Sequence, residues 1–167
     1  SVVLTNTSNE IQHLQATNSN RNISVRSAVL TEINGTGIDG ASVNLITAGL
    51  HQTAPIKATS LDITNTANNI VLNATNEISS FQISNSPRSV ELTNTIASSI
   101  SAGGIQASTV KLNTAGLTQT GVITATSLDV TNSDGTVVLD KSNALTNVEI
   151  DNTGRNVTLT NSKATII

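Results

Sequence analysis

The chain has 167 residues, a formal net charge of −3, 11% charged residues, a single aromatic residue (Phe81), and no Cys, Met, Trp or Tyr. This excludes disulfide, zinc-finger and thiol chemistry, gives none of the basic footprint of a nucleic-acid binder, and leaves Val, Ile, Leu and Ala to build a core that aromatic rings would normally fill. Ser, Thr and Asn occupy 67 positions, a composition shared with disordered chains, but the ordered spacing of β-branched pairs and the low charge argue for a fold.

Strand-like words recur along the whole chain, each alternating aliphatic with polar residues at the strand period of two. In order they are Val2-Val-Leu4, Ile23-Ser-Val25, Val43-Asn-Leu45, Leu61-Asp-Ile63, Ile70-Val-Leu72, Phe81-Gln-Ile83 and Val90-Glu-Leu92. Val110-Lys-Leu112, Leu128-Asp-Val130, Val137-Val-Leu139, Val148-Glu-Ile150 and Val157-Thr-Leu159 follow. Asn-Thr, Asn-Ser, Ala-Gly, Gly-Gly and Asp-Gly separate them, residues that tolerate left-handed backbone or bond to it locally. No segment of helical length carries an apolar face, so essentially no helix is predicted. No apolar run approaches the roughly 18 residues of a membrane span.

The words belong to a longer repeat. Ala48-Gly-Leu-His-Gln-Thr-Ala-Pro-Ile-Lys-Ala-Thr-Ser-Leu-Asp-Ile-Thr-Asn65 is rewritten 67 residues later as Ala115-Gly-Leu-Thr-Gln-Thr-Gly-Val-Ile-Thr-Ala-Thr-Ser-Leu-Asp-Val-Thr-Asn132. The offset also pairs Asn9 with Asn76, Arg21 with Arg88, Gly37 with Gly104, Asn76 with Asn143 and Arg88 with Arg155. The chain therefore reads as about two and a half copies of one unit: a partial copy over 1–42, a copy over 43–109, and a copy over 110–167. No charged-then-apolar leader opens it and both ends fall within the repeat, so it is expected to be part of a longer array.

Regular short strands fit either a sandwich of hairpins or a coil of parallel strands. The repeat favours the coil, because a solenoid asks each unit only to cover its neighbours, whereas a sandwich usually has varied spacing and aromatic anchors. The reading is an all-β parallel β-helix of roughly 7 to 10 coils, with about 17 to 22 residues per coil and a rise of about 4.8 Å. Asn at equivalent turns is expected to form side-chain ladders. Asn18, Asn85 and Asn152 are one such set, although a full unit separates them and only partners one coil away can touch.

The words at 116–130, Gly-Leu-Thr-Gln-Thr-Gly-Val-Ile-Thr-Ala-Thr-Ser-Leu-Asp-Val, with Val137-Val-Leu-Asp and Asn156-Val-Thr-Leu-Thr-Asn161, resemble the repeats of filamentous-haemagglutinin-type exoproteins. The first copy departs from the pattern with Ala54-Pro55 in place of Gly121-Val122. The resemblance implies a right-handed parallel β-helix in a very long adhesin of a Gram-negative bacterium. Such a protein is exported through an outer-membrane transporter by two-partner secretion, then secreted or displayed on the cell surface. Its expected partners are neighbouring coils, or copies end to end, and an unidentified surface receptor, with no nucleic acid and no membrane insertion. A fibre built by end-to-end stacking of subunits is the alternative, followed by ice-binding and carbohydrate-active β-helices.

Candidate chemistry is sparse, and no catalytic, cofactor-binding or metal-binding residue is predicted. Asp62 and Asp129 fall at the same place in two copies, which suits an outward face better than a catalytic carboxylate, since a site needs different residues around one substrate. Glu91 and Glu149 point outward by the same alternation. His13 and His51 have Ser80 and Thr118 as counterparts, and no other His or Cys lies near them in sequence. Arg21, Arg88 and Arg155 recur in all three copies and are expected in surface pairs. Asn-x-Ser/Thr acceptor sequences begin at Asn6, Asn22, Asn34, Asn73 and Asn156. Thr-x-Thr pairs occur at Thr5, Thr64, Thr93, Thr118 and Thr124, too irregularly for an ice-binding array.

Overall fold

The computed structural model describes residues 1–166. Thirteen strands follow one another: β1 (Val2–Leu4), β2 (His13–Arg26), β3 (Thr31–Thr47), β4 (Leu50–Gln52), β5 (Ile56–Asn65), β6 (Ile70–Ser84) and β7 (Ser89–Asn94). Then come β8 (Ser98–Gln106), β9 (Thr109–Thr114), β10 (Leu117–Gln119), β11 (Ile123–Asn132), β12 (Val137–Asp151) and β13 (Val157–Asn161). There is no helix among the described residues. Every strand pairing is parallel and joins one turn of the chain to the next, giving a β-solenoid of about eight turns. Each word predicted from the alternation lies inside a strand.

Inward residues stack into aliphatic columns. One runs Leu50, Ile70, Val90, Val110, Leu128, Val148; another runs Ile23, Val43, Leu61, Phe81, Ile100. All of these belong to one buried cluster. Burying a side chain of this size stabilises by about 1.5 to 3 kcal/mol. Along the paired rungs backbone N–H and C=O groups find partners one turn above or below, so the slender core needs no rings to close it.

The repeat advances three turns and about one further face. Val43 stacks between Ile23 and Leu61, and its counterpart Val110 stacks between Val90 and Leu128. Yet Val90 continues the column of Leu50 and Ile70, which belong to a different face of the first copy. Equivalent positions of the two copies thus look out in different directions.

Corners are held by buried carboxamides. Thr47 donates to Asn65 Oδ1 at 3.4 Å, and Asn65 Nδ2 donates to Asn85 Oδ1 at 2.6 Å. In the second copy Asn132 donates to Asn152 Oδ1 at 2.8 Å. There the Thr114 hydroxyl turns to the Gly116 carbonyl at 3.0 Å, so Asn132 Oδ1 is buried without a partner. Ladders therefore form between residues one turn apart. Asn18, Asn85 and Asn152 share a further role: each closes a loop by donating to a carbonyl four residues on, at 3.0, 2.6 and 2.8 Å to Asn22, Ser89 and Asn156.

Gly37 and Gly104 show why the turns sit so close. Their φ values are 77° and 70°, and a Cβ on either would lie 2.0 Å from the carbonyl oxygen of Pro55 or Val122 in the next turn. The substitution of Ala54-Pro55 for Gly121-Val122 leaves this contact intact, since it uses only backbone.

Candidate functional site

Alternation turns one residue per rung outward between two inward ones, and parallel register stacks these into columns. On the face formed by β4, β7 and β9 the central outward column begins His13, Glu32, His51 and passes through Val71. It continues Glu91, Lys111, Asp129 and ends at Glu149. The column runs nearly the length of the solenoid, and Val71 is its one uncharged, non-ionisable member. Along its later rungs Ser89, Thr109, Ser127 and Asn147 flank it on one side, and Thr93, Asn113, Thr131 and, at the last rung, Asp151 on the other.

Contacts within the column are those of a wet surface. His13 Nδ1 lies 3.0 Å from Glu32 Oε2 and also 3.0 Å from the Asn34 amide nitrogen. These belong to different protonation states: the bare nitrogen accepts from Asn34, the protonated one donates to Glu32. Thr53 donates to Glu32 Oε1 at 3.2 Å, and Lys111 approaches Asp129 at 3.8 Å. The counterparts Ser80, Ser99 and Thr118 stack in the same register and carry only hydroxyls, so the His13-Glu32-His51 stretch is a departure from the repeat.

A second, shorter charged column stacks Thr17, Asp39, Lys57 and Glu77 on another face. Lys57 meets Glu77 at 3.2 Å, and Ser19 donates to Asp39 at 2.6 Å. A shallow groove beside it is lined by Asn20, Gly40, Ala41, Ala58 and Ile96 together with Asp39, Lys57 and Glu77 of the column.

The residues singled out from sequence fall as follows. Asp62 accepts from Asn44 at 3.3 Å, and Asp129 pairs with Lys111; the two carboxylates stand on different faces, as do their strands. Glu91, Asp129 and Glu149 share the long column, a gathering that alternation alone did not predict. His13 and His51, thirty-eight positions apart, are brought onto adjacent rungs of Glu32. Among the described residues no group of three or more His, Asp and Glu is arranged to hold a metal ion. Arg155 pairs with Asp134 at 3.3 Å, the only one of the three repeated arginines with an ion pair among the described residues. Asn6, Asn22, Asn73 and Asn156 are exposed and Asn34 is half-buried. Thr64 stacks on Ser84 and Thr124 on Ala144, so those threonines extend no threonine array. At the end of the described residues Ile166 is 71% exposed and bridged to Asn147.

The fold defines the chain as a β-solenoid repeat protein. No protein family model matches it, and no curated protein or solved structure does either. No helix among the described residues is long and apolar enough to cross a membrane.

Proposed function

We propose that the chain is a stretch of an extended, surface-displayed or secreted adhesive rod of the filamentous-haemagglutinin kind, working through reach, stiffness and surface contact. The observation that carries this reading is the unbroken parallel stack, in which each turn is covered by its neighbours, so length accumulates without redesign of a core. Its charged residues stand outward on long flat faces in solvent, an arrangement suited to broad, shallow contact with another surface. The wording at 116–130 supports export by two-partner secretion through an outer-membrane transporter.

The test is location and loss of function in the native cell. Antibodies raised against the folded chain should label intact, unpermeabilised bacteria or their medium, and in-frame deletion of the segment should lower attachment to host cells or to sister cells. Labelling only after permeabilisation, with attachment unchanged by the deletion, would overturn the proposal.

A further inference from the structure

The order of charges along the long outward column is self-complementary, and we infer that this face is the contact between two antiparallel copies of the chain, side by side, with Val71 on the twofold axis. Three rungs precede Val71 (His13, Glu32 and His51) and four follow it (Glu91, Lys111, Asp129 and Glu149). Turning a second copy end for end about Val71 sets Glu32 against Lys111, His51 against Glu91 and His13 against Asp129, each twice by symmetry. The three rungs on either side of Val71 then each meet a group that attracts them or accepts a hydrogen bond from them, the one apolar rung meets itself, and Glu149 lies one rung beyond the paired stretch.

Other arrangements of the same face fail. Parallel copies in register set each charge against its like. Slipping the antiparallel pair by one rung sets Glu32 against Asp129 in one direction and against Glu91 in the other. Charge order of this kind selects partner and register more than it adds affinity. Beside the paired rungs the flanking columns carry no charge, Asp151 lying beyond them next to Glu149, so nothing beside the paired stripe repels a partner.

Seven rungs at about 4.8 Å make a strip of about 30 Å. With the flanking columns, the area covered on both copies comes to about 1,000 Å², the low end for a specific interface. The pairing is therefore a weak one that gains from many rods lying side by side. It stands apart from the adhesive reading, which makes no use of it.

Sedimentation velocity on the whole chain at high and low salt tests the inference. Dimers should form at low salt and dissociate by at least about tenfold when the Debye length falls from roughly 20 Å to roughly 4 Å. Glu32→Lys and Lys111→Glu should each weaken association at least about tenfold, and the two together should restore it to within about threefold of the parent, because the pairing is exchanged rather than removed. The chain has no Cys, so Val71→Cys gives a second readout: mild oxidation should yield a disulfide-linked dimer, while Glu149→Cys, off the paired rungs, should stay largely monomeric. A chain that stays monomeric throughout, a double variant no better than the singles, or equal cross-linking at the two cysteines would each overturn it. Association through the ends of the solenoid would be indifferent to all four substitutions.

Discussion

Gln52 and Asn76 exchange side-chain hydrogen bonds in both directions, each at 2.9 Å, within the core. Asn76 Oδ1 also takes the Ile56 N–H at 2.7 Å, and its Nδ2 reaches the Thr93 carbonyl at 2.9 Å. One fully buried amide thus ties together three successive turns at a corner. Gln119 and Asn143 repeat the arrangement at 3.0 and 2.9 Å, with the Ile123 N–H at 2.8 Å.

Removing that amide leaves buried donors and acceptors with nothing in their place. Asn76→Ala or Asn143→Ala should lower stability by about 3 to 5 kcal/mol, several unsatisfied groups at about 1 to 3 kcal/mol each being partly relieved by water. Asn113→Ala, on the outward side, should stay within about 0.5 kcal/mol. Urea denaturation followed by circular dichroism checks both.

Phe81 is 1% exposed and stacks between Leu61 and Ile100. Phe81→Ala should cost about 3 to 5 kcal/mol through lost transfer energy and a cavity. Phe81→Leu should cost less than about 1.5 kcal/mol, because the column is aliphatic on both sides and leucine is the residue it already uses. The same denaturation series reads the difference.

Two glycines with similar backbone should respond differently to alanine. Gly104 has φ 70° and the Val122 carbonyl where its Cβ would go; Gly154 has φ 75° and open space. Gly154→Ala should cost only the left-handed penalty, about 1 to 2 kcal/mol. Gly104→Ala adds to that the displacement of a whole neighbouring turn and should cost more than about 3 kcal/mol, or prevent folding. Thermal melts of the two variants side by side give the comparison.

Lys111 and Asp129 are 53% and 40% exposed at the side chain and 3.8 Å apart. Lys111→Ala should therefore shift stability by no more than about 0.5 kcal/mol, while weakening association of copies if the column is the contact. A melt that moves substantially would show that the column supports the fold itself.

Much of the fold could be read from the sequence because the solenoid uses the strand period openly. Val43-Asn-Leu45 or Val110-Lys-Leu112 announces which residues face inward, and the narrow core explains why one Phe suffices. Boundaries were less legible. Asn34-Gly-Thr-Gly-Ile-Asp-Gly40 reads as turn, yet it lies within β3 (Thr31–Thr47), because a parallel stack can bend at a corner and still pair with the turn below. The Gln52-Asn76 clasp left one unused signal: Gln52 follows Leu50 at the inward parity, as Gln119 follows Leu117, a polar residue at a core position in both copies. The long charged column could not be found from alternation, which says that Glu91 or His51 points outward but not which rungs stack.

The central claim is that successive turns lie parallel, rung upon rung, and the sole aromatic ring offers the most direct probe of it. In a methyl-resolved nuclear Overhauser spectrum the Phe81 ring should show strong contacts to the methyl groups of Leu61 and Ile100, about twenty residues away on either side. Short Hα–Hα contacts between strands adjacent in sequence, the mark of antiparallel hairpins, together with silence between Phe81 and those two residues, would contradict it.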